Sequence, residues 1–357
     1  MRTFMILVSI MAIASSVIGA DEAAFVESDD VIYGAKADEQ GPIGGGVGYV
    51  NSVSSGDLTA TTLEELIEAL KKVEAGQVVF IPGDTEIDLT TFVYIEQLVL
   101  EVPSGVTLAG NRGADGSPGA LLYSDDLNTR VMIRAMGPKV RITGLRLRGP
   151  NTKRYLDHHK RAFGPGGDGH AYYYKFPTQY GIITESEGLE VDNCEISGFG
   201  HAGISVRAGE GHHIHHNFIH HCQYNGLGYG ISHDEAASII EYNLFDWNRH
   251  SIAGTGRPGC SYIARHNIVL ENALSHCFDM HGGRAREDGT DIAGTDIAIH
   301  NNTFYASTPS VAITGVPQEP CEIYHNWFVK CPPKRVVITD GNTEVSDNAY
   351  GNNPEIN

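Results

Sequence analysis

The sequence predicts an all-β protein: a single right-handed parallel β-helix whose N-terminal end is capped by one helix. Asparagines recur through the second half of the chain about every 22 to 26 residues, with one gap of 35. Short apolar runs separate them, and no helical periodicity appears between them. A period in the low twenties without helices is typical of one coil of a parallel β-helix, not of ankyrin-type or leucine-rich repeats.

Each repeat is a three-residue motif with asparagine at its centre. We expect that asparagine to lie in a turn, to tolerate left-handed backbone and to hydrogen-bond along the stack, each bond contributing about 1 kcal/mol. The seven copies are Asp192-Asn193-Cys194, His216-Asn217-Phe218, Tyr242-Asn243-Leu244, His266-Asn267-Ile268, Asn301-Asn302-Thr303, His325-Asn326-Trp327 and Asp347-Asn348-Ala349.

The predicted cap is one amphipathic helix. Thr62 and Glu65 form a capping box, and the apolar residues that follow keep helical spacing up to Val73. Short apolar stretches at 78–81, 98–102 and 106–108 then end in breaks that contain proline or glycine, as strands do. A helix before short strands is the arrangement expected at one end of a solenoid.

Domain organisation follows from composition. Residues 1–20 combine Arg2, an apolar run from Phe4 to Ala14 and a small-residue end, which predicts a cleavable signal peptide and a secreted, periplasmic or cell-surface location. The apolar run is shorter than the roughly 20 residues of a membrane span. Residues 21–57, rich in Gly, Asp and Ser, are predicted to be an arm or linker. Residues 58–357 are predicted to be one β-helix domain, because solenoids lengthen by adding coils.

Charge and cysteines limit the partners. A formal net charge of -19 argues against binding to nucleic acid or anionic membrane, and we expect a monomer. The six cysteines show no CxxC spacing, so a zinc ribbon is not indicated. They can pair outside the cytoplasm or stay as buried thiols, and the sequence leaves both open.

The cap helix, the segments 102–113 and 140–149 and the asparagine coils together resemble the pectate-lyase-like superfamily of right-handed β-helix proteins, over residues 58 to 350. Many members of that superfamily cleave extracellular polysaccharides. The resemblance therefore implies a polysaccharide partner, which we expect to be acidic, although a fold does not fix a reaction. The aspartate cluster of the classical pectate lyases and the Asn-Thr-Asp and Asp-Asp pairs of the polygalacturonases are not found in the sequence.

Successive coils can be aligned on one apolar strand residue, taken as Ile204, Ile231, Ile252 and Phe278. Side chains alternate along a strand, so the next residues and those two further on should share the outer face. These are Ser205, Ser232, Ala253 and Asp279, followed by Arg207, Asp234, Thr255 and His281. Coils stack about 4.8 Å apart, so a polymer lying along the axis could contact several coils.

This face carries the candidate catalytic residues: Asp234, Arg249, His250, His276, Asp279, His281 and Arg284. β-Elimination from a uronate needs a cation for the carboxylate, which Arg249 and Arg284 could supply. It also needs proton transfer, which suits imidazole. The alternative is that His250 and His276 point inward as a core stack.

Spacing separates elimination from hydrolysis. Coil and strand dimensions place the Cα atoms of Asp234 and Asp279 roughly 11–12 Å apart. Retaining glycosidases hold their carboxyl groups about 5–5.5 Å apart and inverting ones about 6.5–9.5 Å. The sequence therefore favours a lyase, with a glycoside hydrolase and a noncatalytic carbohydrate-binding protein as alternatives.

Substrate contacts are predicted at His233 and in the long insertion between 151 and 180, at Arg154, Tyr172 and Tyr174. Aromatic rings and cations in a long loop suit an acidic sugar. If a metal is bound, the carboxylate oxygens of Asp234, Glu235 and Asp279 would suit calcium, which prefers oxygen ligands. A transition metal would instead select Asp279 and His281 with His276 or His250.

Overall fold

The computed structural model describes residues 24–352 and 355–356. The predicted signal peptide, residues 1–20, lies outside the described residues. Within them, no helix has the length and apolar character needed to cross a membrane. Apart from an N-terminal hairpin and the last strand pair, all strand pairing in this part of the chain is parallel.

The strands stack into three faces. Two faces form one 18-stranded sheet in the described residues, because the long strands Ala202–His215 and Tyr229–Glu241 run through both. The first face, called the groove face below, consists of Leu100–Val102, Val131–Ala135, Tyr180–Thr184, the first halves of the two long strands, His250–Gly254, Phe278–His281, Val311–Thr314 and Val337–Thr339.

The second face consists of Leu58–Thr59, Val78–Phe80, Thr107–Ala109, Arg141–Thr143, Glu190–Asp192, the second halves of the two long strands, Ser261–Arg265, Ile297–His300, Cys321–Tyr324 and Thr343–Ser346. The third is a separate 11-stranded sheet: Glu86–Asp88, Leu121–Tyr123, Arg146–Arg148, Glu195–Ser197, Phe218–His220, Leu244–Asp246, Ile268–Val269, Thr303–Phe304, Trp327–Phe328, Ala349–Tyr350 and Glu355–Ile356.

One apolar core runs along the inside of the three faces. The aligned residues Ile204, Ile231, Ile252 and Phe278 pair in register and are fully buried, which confirms the predicted alignment. Phe278 continues into a ladder with Phe304 and then Phe328, with ring centroids 4.9 and 5.3 Å apart. Each coil therefore buries its apolar residues against the next.

The predicted cap helix is present as Leu63–Lys72. The Thr62 hydroxyl accepts from the backbone N–H of Glu65, as a capping box requires. The Glu65 carboxylate accepts from Thr61 instead of returning to Thr62. Leu63, Leu66 and Leu70 cover the first coils from solvent. Short helices elsewhere span Thr90–Glu96, Leu156–Phe163, His170–Tyr173, Gly283–Arg286 and Pro333–Val336, with a 3₁₀ turn at Ala114–Gly116.

The asparagines form a ladder at the turn between the second and third faces. From Asn243 onward, each Oδ1 accepts from the backbone N–H and the Nδ2 of the asparagine one coil earlier, at 2.8 to 3.1 Å. Each Nδ2 also donates to a strand carbonyl of the preceding coil. The ladder residues, all fully buried, are Asn217, Asn243, Asn267, Asn302, Asn326 and Asn348.

Two details of the predicted rungs are wrong. The left-handed conformation falls on the residue before the ladder asparagine, for example His216 with φ 52 and Tyr242 with φ 54. Asn193 has φ 53 and is equivalent to His216, because Asp192 pairs with His215. Cys194 therefore occupies the ladder position, and its N–H donates to Asn217 Oδ1 at 2.9 Å. The left-handed position and the ladder position are adjacent and both accept asparagine, so the sequence pattern does not distinguish them.

The N-terminal segment packs along this turn and does not run free as a linker. Phe25–Ser28 and Val31–Gly34 form an antiparallel hairpin. Further on, Gly44 donates to the Tyr242 carbonyl at 2.9 Å, and Tyr49 donates to Asp192 at 2.8 Å. Gly45 has φ +66, and a Cβ there would lie 2.3 Å from the His216 carbonyl oxygen. The segment contacts the coils largely through its backbone, which composition does not reveal.

All six cysteines are buried as free thiols. Of the two readings that the sequence left open, the structure therefore supports the unpaired one.

Candidate functional site

The groove is a surface depression of about 210 Å³ on the groove face, and its lining crosses several coils. Ser205, Ser232 and Ala253 pair in register with Asp279, as predicted from the sequence alignment. The second predicted row also lines the groove: Arg207, Asp234, Thr255 and His281.

Tyrosines and arginines form one wall of the groove. The Arg207 guanidinium lies 5.1 Å from the centroid of the Tyr180 ring, and that of Arg249 lies 5.9 Å from the centroid of Tyr229. Burial raises the pKa of Tyr180 and raises that of Tyr229 to about 12. Both phenols are therefore protonated at neutral pH and able to donate a proton.

Asp279 lies beneath this surface and is fully buried. Three imidazoles surround its carboxylate, with Nε2 of His281 at 3.0 Å, His276 at 3.2 Å and His250 at 4.0 Å. Although two of these distances lie in hydrogen-bonding range, neither carboxylate oxygen has an aligned hydrogen bond within the described part of the chain. We call these four residues the histidine cluster.

Electrostatics in the histidine cluster favour a charged carboxylate. Burial raises the pKa of Asp279, but the charges of His281, His250 and His276 and a hydrogen-bonding interaction with His276 outweigh it and bring the pKa to about 2. Burial, reinforced by Arg249, holds the pKa of His250 well below its usual value. Asp279 is therefore ionised and His250 neutral at neutral pH.

The structure does not place His250 and His276 in the apolar core as an inward stack. Their rings do stack, with centroids 4.0 Å apart, but both face the Asp279 carboxylate on the groove side. Strict alternation from Ile252 would turn His250 inward. The pairs Tyr229↔His250 and Ile231↔Ile252 keep one register, so His250 is aligned with Tyr229, which lines the groove and on whose ring it stacks.

His281 is the member of the histidine cluster at the groove surface, with 29% of its side chain exposed. Its Nδ1 donates to the Gly254 carbonyl at 2.9 Å, and its Nε2 faces Asp279. The ring is thus held from two sides in one orientation.

The predicted calcium set does not assemble in the structure. Asp234 is paired with Arg257, whose Nη1 lies 2.9 Å from each carboxylate oxygen, and it accepts from Thr255 at 2.8 Å. Glu235 is exposed and also faces Arg257. Within the described residues, metal-ligand atoms come within 4.8 Å of one another at His250, His276 and Asp279, and at Glu190, Asp192 and His215. Arg141 already neutralises the second group.

The two predicted carboxylate-binding arginines lie in different places. Arg249 contacts the groove wall, where it donates to the Leu227 carbonyl at 3.3 Å. Arg284 lies in the short helix Gly283–Arg286, is 83% exposed and pairs with Asp340. Arg207 lines the groove itself but was not predicted as a carboxylate ligand. The sequence signal was its place in the same outward row as His281.

His233, predicted as a substrate contact, is 2% exposed, although its residue borders the groove. Its Nε2 is 2.8 Å from the Ser238 hydroxyl, and its ring lies 5.9 Å from that of buried Tyr262. The low exposure shows that the imidazole belongs to the core and does not reach solvent. Alternation already puts this residue opposite Asp234, on the inner face.

We expect His233 to make folding stability depend on pH. Burial lowers the pKa of His233 to about 3, so between pH 6.5 and 3 the unfolded chain binds a proton that the folded chain does not. Stability therefore falls as pH falls through this window, by up to about 1.4 kcal/mol per pH unit for one such group. Urea unfolding of His233→Gln from pH 7 to 4 should show a shallower slope than the unsubstituted protein. The exposed-helix variant His170→Gln should leave the slope unchanged, and equal slopes in all three would contradict this assignment.

The long insertion folds into two short helices beside the groove. Tyr173 is buried against Tyr224, with ring centroids 5.1 Å apart. Of the predicted substrate contacts, Tyr174 is exposed and Tyr172 half-buried. Arg154 donates to Asn225 at 3.1 Å. Burial and then the neighbouring charge of Arg249 lower the pKa of Arg154, so two cations lie side by side at this end of the groove.

The coil stack and its polar groove define a three-faced parallel β-helix protein. The profile of the family described as "Right handed beta helix region" matches residues 179–350. Among solved structures, a family 28 exopolygalacturonase from Yersinia enterocolitica is 14% identical, with a TM-score of 0.53 over 85% of this chain and 63% of that one. This chain thus spans less than two thirds of that enzyme, and the likeness establishes the fold.

Two further structures are more distant. An alginate lyase from a Paenibacillus species is 13% identical over 80% of this chain and 98% of that one, with a TM-score of 0.44. The Dettilon tailspike protein is 10% identical over 81% of this chain and 64% of that one, with a TM-score of 0.39. No curated protein matches the sequence. The chain therefore has the right-handed parallel β-helix fold that the sequence predicted.

Proposed function

We propose that this protein is an extracellular polysaccharide lyase that cleaves a uronate-containing chain by β-elimination in the groove. The observation that carries the proposal is an imidazole at the groove surface, His281, which is held by a buried carboxylate in a groove that Arg207 also lines. The predicted signal peptide supports action outside the cell.

The polarity of the groove suits an anionic sugar. Arg207 lines it, and Arg154 and Arg249 lie together at the neighbouring wall. A guanidinium can pair with a carboxylate through two parallel hydrogen bonds, which neutralises the uronate and makes its C5 proton more acidic. Arg207 has one contact to an exposed carboxylate, Glu185 at 3.2 Å, which a substrate carboxylate can replace.

Proton transfer is assigned to two groups of the protein, with His281 as the base and Tyr229 as the acid. His281 acts as the base in the tautomer that carries its hydrogen on Nε2, where it is donated to Asp279. Its Nδ1, released from the Gly254 carbonyl, then takes the C5 proton, and Asp279 stabilises the imidazolium that forms. Tyr229, whose phenol burial keeps protonated, gives a proton to the leaving glycosidic oxygen. The double bond then forms between C4 and C5 of the sugar.

Hydrolysis receives less support from the same residues. It needs two carboxyl groups that reach the substrate or its attacking water. Asp279 is buried under His281, and Asp234 is neutralised by Arg257. Elimination requires no second free carboxylate, so it fits the groove better.

The test is to incubate the purified protein with pectate, alginate and glycosaminoglycans separately and to follow the ultraviolet absorbance of the unsaturated product. We expect that absorbance to rise with one acidic polymer and not with a neutral glucan. New reducing ends without absorbance would replace elimination by hydrolysis. Binding to a polymer without either product would instead identify a noncatalytic carbohydrate-binding protein.

A further inference from the structure

We infer that His250, His276 and Asp279 form a binding site for one divalent transition-metal ion of the zinc type. Their ligand atoms already lie within 4.8 Å of one another. This inference does not rest on the proposed reaction, because it follows from hydrogen bonding within the histidine cluster and is tested by binding.

The first argument is the direction of the His250 ring. Its Nδ1 lies 2.6 Å from the His276 carbonyl, and a carbonyl can only accept, so Nδ1 carries the hydrogen. Histidines that bind metals usually donate their second nitrogen to a carbonyl or a carboxylate, which leaves the other nitrogen free as a ligand. His250 has this arrangement, and its Nε2 faces Asp279.

The second argument is the set of unpartnered atoms at one point. Nε2 of His250, Nε2 of His276 and both carboxylate oxygens of Asp279 are buried without an aligned hydrogen bond among the described residues. A ring nitrogen that carries a lone pair and a carboxylate both offer negative charge, so at 4.0 Å they repel unless a cation lies between them.

The donor set identifies the class of metal. Two imidazoles with one carboxylate suit zinc and its neighbours, whereas calcium prefers six or more oxygens. Three protein ligands leave one position of a tetrahedral ion open. His276 is 23% exposed, so the cluster has an entrance on its side. His281 lies 3.0 Å from Oδ2 of Asp279, the oxygen that His250 also faces, and it orients the carboxylate from outside the proposed ligand set.

Titration calorimetry with Zn²⁺ on metal-free protein tests the site. We expect one ion per chain and a melting temperature that rises with added Zn²⁺, because an ion that binds only the folded state stabilises it. Ca²⁺ should produce neither effect. His276→Gln and Asp279→Asn should each weaken Zn²⁺ binding by about 100-fold or more.

The matched control is His170→Gln, which removes an imidazole from the insertion helix outside the cluster and should bind Zn²⁺ like the unsubstituted protein. Circular dichroism establishes that each variant is folded. In the unsubstituted protein, Co²⁺ should give the strong visible absorption of a four-coordinate site. The inference is overturned if the unsubstituted protein is not stabilised by Zn²⁺, if the Co²⁺ spectrum is that of a six-coordinate ion, or if binding survives in both cluster variants. The lyase assay on the unsubstituted protein is a separate test, so a failure of Zn²⁺ binding and a failure of chain cleavage can be told apart.

Discussion

Replacing His281 by Gln is expected to lower the rate of chain cleavage by about 10²–10⁴-fold, the usual contribution of one group that transfers a proton in the transition state. The His281 imidazole lies at the groove surface, and glutamine keeps its polarity and approximate length. The measurement is the initial rate of unsaturated product formation at saturating polymer, together with the melting temperature of the variant. The main effect should fall on kcat, since Arg207 still binds the substrate carboxylate.

The control is His300→Gln, the same change on the second face of the helix, where the ring stacks on Tyr324 with centroids 4.9 Å apart. Its rate should stay within about twofold of the unsubstituted protein, because surface changes away from the site have small effects. A His281→Gln enzyme that is folded and as fast as this control would remove His281 from the mechanism.

Replacing Asn243 by Ala is expected to destabilise the fold by about 3 kcal/mol or more. Its amide is fully buried, accepts from Asn217 and donates to Ile214, Glu241 and Asn267. The substitution leaves several buried backbone and side-chain groups without partners, each at a cost of about 1–3 kcal/mol. Urea unfolding followed by circular dichroism measures the change in the free energy of unfolding.

Asn128→Ala is the matched control, since Asn128 is exposed in a turn and lies outside the ladder. The free energy of unfolding of this variant should lie within about 0.5 kcal/mol of that of the unsubstituted protein. If the two substitutions cost the same, the ladder would not be a main source of stability. The comparison thus separates a buried asparagine from an exposed one.

Sequence alone determined the architecture and the register of the groove face. A solenoid repeats the same local interactions in every coil, so the period is visible in the sequence itself. The fold can therefore be predicted without knowing which distant residues are in contact. The cap helix at Leu63–Lys72 followed from its own capping box. Aligning Ile204, Ile231, Ile252 and Phe278 places Asp234 and His281 in one row of the groove.

Only the tertiary structure decided which polar residues are free to act. Asp234 is neutralised by Arg257, and Asp279 is buried beneath three imidazoles. Each side chain has several potential partners on neighbouring coils, and the sequence does not show which of them it contacts. The His250 ring stacks on His276 and faces Asp279, an orientation that strict alternation from Ile252 does not predict. The N-terminal segment packs against the asparagine turns through hydrogen bonds of its backbone. Periodicity specifies the face on which a residue lies. Its burial and charge depend on side-chain contacts with neighbouring coils, whose residues are distant in sequence.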